Sequence, residues 1–197
     1  MTKKIIAFQG EKGAYSHLAC EEMFPQATIK TCTTFEETFK MASEDENVKI
    51  MVPIENSLAG RVADIHYLLT KYKLQIYSEH FQNVEHNLLV KEGTELKDIK
   101  YVRSHVQAID QCQKIISKNK FKTIISADTA GSAKDLSTSN DKSIAAIASK
   151  LSAKIYNLKI LKSNIEDDSG NVTRFLIMGK KVNQPENIKN KKYITSC

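Results

Sequence analysis

Residues 171–175, Asn-Val-Thr-Arg-Phe, set a hydroxyl, a guanidinium and an aromatic ring at the opening of the apolar run Leu176-Ile177-Met178. On a strand, Thr173 and Phe175 share one face and Arg174 takes the other. Packing alone does not explain a Thr–Arg pair there, whereas recognition of a small carboxylate does. A second cluster is Pro53-Ile54-Glu55-Asn56-Ser57, with Arg61 close behind. Asn56 and Ser57 suit a helix cap, but a carboxylate and an arginine beside them exceed what a cap requires. The third is Arg103-Ser104-His105-Val106-Gln107, with Gln111 one turn on. Gln107 and Gln111 are four apart and share a helix face. A capping box accounts for Ser104 and Gln107, but not for Gln111. His105 reads equally as a base or as a hydrogen-bonded helix-end histidine. In Asp128-Thr129-Ala130-Gly131-Ser132, Asp128 or Thr129 suits an N-cap. Gly10 to Ser16 is a turn with two glycines, able to take an anion or simply to reverse the chain.

Arginine usage sharpens this list. Arg occurs only at 61, 103 and 174, so Lys supplies 29 − 3 = 26 of the basic residues. A chain that uses Lys wherever a positive charge suffices marks its arginines as candidate planar, bidentate donors. The net charge of +6 comes from lysines spread along the chain, without the interleaved aromatics of a nucleic-acid platform. No nucleic-acid partner is expected, and a mild positive field suits a dianionic substrate. Cysteines at 20, 32, 112 and 197 form no C-x-x-C pair, and the five histidines show no metal-ligand spacing, so reduced thiols and no metal are expected. No stretch approaches the ~20 apolar residues of a membrane span. The apolar run Ile5 to Phe8 is too short for a secretory signal. A cytoplasmic protein without a membrane partner is expected.

Elements able to position these groups alternate along the chain. Strands are expected at about 4–8, 27–31, 49–54, 74–78, 87–91, 99–102, 121–126, 143–148, 159–165 and 172–178. Helices are expected at about 16–23, 34–43, 61–69, 104–117, 129–136 and 149–156. This alternation predicts an α/β architecture with mainly parallel sheets. In such folds the ligand sits where strands end and helix N-termini begin.

In this order and spacing the segments resemble the prephenate dehydratase family. Phe8 to Ser16 is similar to its glycine-rich opening, and Pro53 to Ser57 to its Pro-Ile-Glu-Asn-Ser motif. Ser104-His105-Val106-Gln107 matches its Ser-His-Pro-Gln motif, with Val106 in place of proline. Asp128-Thr129-Ala130 sits at its Thr-Ala motif, Ala145 to Tyr156 resembles its Ala-Ala-Ile-Ala-Ser region, and Thr173-Arg174-Phe175 is its signature tripeptide. The resemblance covers about residues 4–180. It implies a two-lobed α/β fold of the type II periplasmic-binding-protein kind, with a central cleft. Residues 1–78 with about 159–181 would make one lobe and 79–158 the other. It implies conversion of prephenate to phenylpyruvate, water and carbon dioxide in phenylalanine biosynthesis, without metal or organic cofactor. Arogenate dehydratase shares these motifs, and a non-catalytic small-carboxylate-binding domain shares the fold.

Within that reading Thr173 is the expected donor to the leaving hydroxyl, with Glu55 the alternative acid if burial raises its pKa. Arg174 would bind a carboxylate, with Phe175 beside it. Asn56, Ser57, Ser104, Gln111 and Thr129 would position the substrate. Residues 182–197 read as a linker or tail that resembles the start of a phenylalanine-binding regulatory (ACT) domain, cut short. Feedback inhibition by phenylalanine is then expected to be absent. Family members associate, so a homodimer is expected.

Overall fold

The computed structural model describes residues 4–180. The first run of elements is β1 (Ile5–Gln9), α1 (Tyr15–Met23), β2 (Thr28–Cys32), α2 (Phe35–Glu44), β3 (Val48–Asn56), β4 (Gly60–Arg61), α3 (Ala63–Tyr72) and β5 (Gln75–Asn83). The chain then builds β6 (Asn87–Val90), a 3-10 turn (Leu96–Asp98), β7 (Tyr101–Ser104), α4 (Val106–Asp110), α5 (Gln113–Asn119), β8 (Lys122–Ile125), α6 (Thr129–Thr138), β9 (Ile144–Ala148), α7 (Lys150–Ile155) and β10 (Lys159–Lys162). It returns through β11 (Val172–Gly179). The strands form two sheets, in the orders β2-β1-β3-β11-β5, with β4 on β3, and β10-β6-β9-β7-β8. This is the expected two-lobed α/β fold.

Each sheet is buried on both faces, which is why its central strands are continuous apolar runs. In the first sheet Phe8, Met51, Phe175 and Ile177 pack against Ala19 and Cys20 of α1. Ile50, Val52, Leu176 and Met178 meet Phe39, Ile65 and Leu68 of α2 and α3. In the second, Val102 and Ile147 pack against Ile109 and Ile116, while Leu89 and Ala146 pack against Ala133 and Leu136. Side-chain caps start α2 and α6 where the sequence predicts them. Thr34 Oγ1 accepts from Glu37 N at 3.1 Å, and Asp128 Oδ1 accepts from Gly131 N at 2.6 Å.

Several expectations are corrected. The sheets are mixed, because β11 runs antiparallel to both β3 and β5, and β6 runs antiparallel to β9 and β10. The chain leaves the first sheet at β5 and re-enters it at β11, so the long return reverses direction. Lys159–Lys162, expected in the first lobe, pairs with β6 in the second sheet, and β5 extends the first sheet to Asn83 rather than 78. Arg61 lies in β4 rather than in the helix behind it. The helix expected at 104–117 is two helices, broken at Gln111 and Cys112, and its N-cap is His105 rather than Ser104. The expected regulatory-domain strand falls outside the described residues.

Two crossovers, residues 84–86 and 163–171, join the lobes and bind each other. Val84 N donates to Asn171 O at 2.8 Å, and Ile165 N to His86 O at 2.9 Å. Asp167 ties the return crossover to the second lobe, since its N donates to Gln111 O at 2.6 Å and its carboxylate accepts Lys114 N at 3.0 Å. On another side the loop after β1 reaches α7. Gly13 O accepts the Ser149 and Ser152 hydroxyls at 2.5 and 3.0 Å. Gly13 has φ +92°, and a Cβ there would lie 2.9 Å from Ser152 Cα. Gly13 N donates to Nδ1 of His17 at 3.0 Å, which requires that nitrogen to be unprotonated.

Two outcomes follow. Gly13→Ala is expected to lower the unfolding free energy by about 2 kcal/mol, read by urea denaturation, through positive φ and a backbone clash. Burial holds the His17 pKa below its ordinary value, against an opposing pull from Glu21 and with help from Lys12. The stability that the neutral ring supplies is therefore complete above about pH 6.5, the unfolded value, and is lost as pH falls through the lower folded value. His17→Asn places an amide oxygen near the Nδ1 position, and should flatten that acid limb of the stability curve.

Candidate active site

Between the lobes lies a cleft of about 540 Å³, within the usual range for a small-ligand site. Its polar groups come from the ends of strands and helices: Gln9 at the end of β1, Asn56 at the end of β3, Gln107 in α4 and Gln111 just after it, Thr129 at the start of α6, and Thr173 at the start of β11. Phe35, Pro53, Val62, Val84 and Ala108 supply an apolar lining.

Asn56 fixes the orientation of this site. Its Oδ1 accepts the backbone N–H groups of Leu58 at 3.0 Å and Ala59 at 2.9 Å. With the oxygen so held, Nδ2 must face the other way, and it can only donate. It donates to Asn171 Oδ1 at 2.6 Å and to Thr173 Oγ1 at 2.9 Å. Thr173 is thus an acceptor toward Asn56, and its own hydrogen has no acceptor among the described residues. Register supports the contact, because Thr173 pairs with Asn56 across the β3–β11 ladder.

The chain of contacts continues into the second lobe. Asn171 Nδ2 donates to Gln111 Oε1 at 2.7 Å, and His86 Nε2 lies 2.9 Å from the same oxygen. His86 Nδ1 is 2.9 Å from the Tyr15 hydroxyl. Burial lowers the pKa of His86, although the Gln111 bond and nearby Glu166 pull it up. Burial also pushes the Tyr15 pKa well above its ordinary value, with Cys112 and Glu166 adding to it. Both groups are therefore neutral at neutral pH. Two charged side chains line the cleft: Arg61, exposed on β4 and with no ion pair among the described residues, and Asp128, whose carboxylate caps α6 by accepting Gly131 N at 2.6 Å. The N-terminus of α6 adds the positive end of its dipole at Thr129.

The expected site residues divide into two groups. Thr173, Asn56, Gln111 and Thr129 line the cleft. Arg174 does not, because strand alternation turns it to the other face. There Nε and Nη2 each lie 2.7 Å from Glu79 Oε2, beside Phe81. Phe175 is a core residue packed with Phe8 and Met51. Glu55 is exposed and off the cleft wall, so the burial its acid role required is lacking. Ser104 is fully buried and donates to Ile147 O at 2.7 Å, stitching β7 to β9. Ser57 accepts from Val172 N at 3.0 Å and so holds the start of β11 rather than a ligand.

Three residues of this network lay outside the expected set: Tyr15, His86 and Asn171. Tyr15 stood in the glycine-rich opening and Asn171 one residue pair before Thr173, so position offered a signal for both. His86 carried none. Among the described residues no group of three His, Cys, Asp or Glu side chains could hold a metal ion.

Comparison with known proteins bears on the whole cleft. The profile of the family described as prephenate dehydratase matches residues 6–183. The chain is 41% identical over 179 residues to a bifunctional N-acyl-homoserine lactone acylase/prephenate dehydratase of Komagataeibacter europaeus, covering 91% of this chain and 64% of that protein. It is 37% identical over 175 residues to arogenate dehydratase/prephenate dehydratase 2, chloroplastic, of Arabidopsis thaliana, covering 89% and 46%. The crystal structure of prephenate dehydratase in complex with L-Phe from Arthrobacter aurescens superposes with a TM-score of 0.84 at 28% identity, covering 93% and 63%. The chain thus spans less than two thirds of each of these relatives. A match that begins in the first strand, ends beyond the last and includes every loop of the cleft shows that the chain belongs to the prephenate dehydratase family.

Proposed function

We propose that the chain converts prephenate to phenylpyruvate, a carbon–oxygen lyase reaction of phenylalanine biosynthesis. The observation that carries this reading is Thr173, whose oxygen is engaged by Asn56 and whose hydrogen is left for a ligand. In prephenate the ring carboxylate and the ring hydroxyl sit on opposite carbons. As the carboxylate leaves as carbon dioxide, its bonding pair moves through the ring double bonds and the hydroxyl departs. One proton, drawn ultimately from solvent, turns the departing hydroxide into water. The dianion and that proton become phenylpyruvate, carbon dioxide and water, and the new aromatic ring drives the step.

The protein's task is to orient the ring, hold the anions, stabilise the leaving oxygen and limit water. Thr173 donates a hydrogen bond to the leaving hydroxyl. Its hydroxyl is far too weak an acid to surrender a proton outright near neutral pH. Arg61 takes over the carboxylate role expected of Arg174, from the rim of the cleft. Gln111, Gln107 and Thr129 fix the substrate, and Phe35, Pro53 and Val62 flank the ring. An apolar wall near the departing carboxylate favours its uncharged product.

Arogenate differs by an ammonium in place of the side-chain keto group. Arg61 at the rim disfavours that ammonium, and the Asp128 carboxylate in the same cleft is engaged by Gly131 N at the start of α6, so prephenate is the preferred reading. A non-catalytic carboxylate binder would bind either compound and release it unchanged. The same proposal includes a cytoplasmic homodimer. Among the described residues no helix is long and apolar enough to cross a membrane.

The protein mixed with prephenate at neutral pH is expected to release phenylpyruvate, followed by its absorbance, and faster than it consumes arogenate. No product from either compound would sink the enzyme reading. Thr173→Ala is expected to lower kcat by about a hundredfold or more, while Thr173→Ser keeps most of it. Arg61→Ala should raise KM by about tenfold with a smaller change in kcat, as loss of a binding charge does. Arg174→Ala should lower stability and leave KM nearly unchanged; the reverse pattern at these two arginines would restore the first assignment.

A further inference from the structure

The hydrogen bonds that run from Asn56 to Tyr15 have a direction, and the geometry points to Asn171 as a positioning residue for Thr173 that also sets the tautomer of His86. An amide turned through 180° exchanges donor for acceptor, so each amide in such a chain constrains the next. Asn56 cannot turn, because two backbone N–H groups hold its oxygen. Asn171 must then present Oδ1 to Asn56 and Nδ2 to Gln111. Gln111 must present Oε1 to Asn171, and the same oxygen faces His86 Nε2. A neutral ring meeting an oxygen there carries its hydrogen on Nε2. His86 Nδ1 is left as an acceptor for the Tyr15 hydroxyl.

Tyr15 has one hydrogen and two acceptors in reach, since Glu85 O lies 2.8 Å away. Glu85 O also receives Asn87 Nδ2 at 3.2 Å, so Tyr15 can serve His86 without leaving that carbonyl bare. Every member of the chain then has a partner of the right kind, which buried polar groups require. Asn171 is 4% exposed and His86 3%, both at the wall of the cleft.

The placement of the chain gives it a function. Asn56 and Thr173 belong to the first sheet, Gln111 to the second lobe, and Asn171 and His86 to the two crossovers between them. Asn171 therefore joins the amide that aims Thr173 to the far wall of the cleft. With one Asn56 hydrogen held by Asn171, the other meets Thr173 Oγ1 at 2.9 Å in preference to Val172 O, which is farther away at 3.3 Å. The arrangement fixes Thr173 while the lobes are engaged. No titration step is involved. The catalytic part of this inference rests on the proposed reaction, whereas the tautomer does not.

The test combines a tautomer measurement with kinetics. In histidine nitrogen-15 spectra at neutral pH, with the His86 signal identified by its loss in His86→Gln, the pyrrole-type nitrogen is expected to be Nε2. Asn171→Asp offers only acceptors, so Gln111 must turn over, donate to both neighbours and move the His86 hydrogen to Nδ1. Asn171→Ala removes the link without reversing it. Both variants are expected to lose kcat by about tenfold to a hundredfold with KM within about threefold, the signature of a misaimed group. A wild-type Nδ1–H tautomer, or an unchanged tautomer in Asn171→Asp, would overturn the direction of the chain. A wild-type kcat in a folded Asn171→Ala would overturn the positioning role. If no substrate is turned over by the wild type, the tautomer result still decides the direction independently of the proposed reaction.

Discussion

The side-chain oxygen of Asn56 accepts two backbone N–H groups, and the amide thereby loses its freedom to turn. The rest of the cleft inherits that constraint. The hydroxyl of Thr173 must accept from Asn56, and Asn171 and Gln111 must follow the same sense. The arrangement uses neutral dipoles held by backbone, which orient without bringing a second charge beside a dianion. Preorganised donors of this kind do not have to rearrange as charge develops on a departing oxygen.

The strand pairing explains why such a short-range constraint is possible between residues more than a hundred positions apart. β11 lies between β3 and β5 and is paired along both edges. Its register on β3 shifts between Arg174 and Phe175, just beyond the Thr173–Asn56 pair. Below the shift the strand is sealed core, with Phe175 and Ile177 fully covered. Above it Thr173 lines the cleft while Arg174 turns to the opposite face, against Glu79. One strand thus serves packing and chemistry in consecutive segments.

Much of this was legible in the sequence, for identifiable reasons. Asn56 and Gln111 exceeded what capping needs, Thr173 opened a strand in a way packing did not explain, Thr129 entered through the family resemblance, and the structure puts all four on the cleft. Arg174 misled because its type suits a carboxylate, although alternation already placed it opposite Thr173. Its ligand is the carboxylate of Glu79 on the neighbouring strand. Ser104 misled for another reason: a hydroxyl that satisfies a buried carbonyl and one that meets a ligand look alike in sequence. Glu55 belongs to the right motif but on the outward face. His86 could not be found, since its role depends on two crossovers that meet only in the folded chain. The mixed sheets were missed for the same cause, as strand direction after a long return is not local information.

The central place of β11 also has a consequence for how the protein is made. The second sheet draws on one continuous stretch, Asn87 to Lys162, and is complete as soon as that stretch has left the ribosome. The first sheet cannot be, because the strand between β3 and β5 follows that whole stretch in the sequence. Until then β3 and β5 present unpaired edges, exposed templates for association with other chains. The lobe that begins the sequence is thus completed last, and the vulnerable interval of its biogenesis ends only when Val172–Gly179 slots between strands that have been waiting for it.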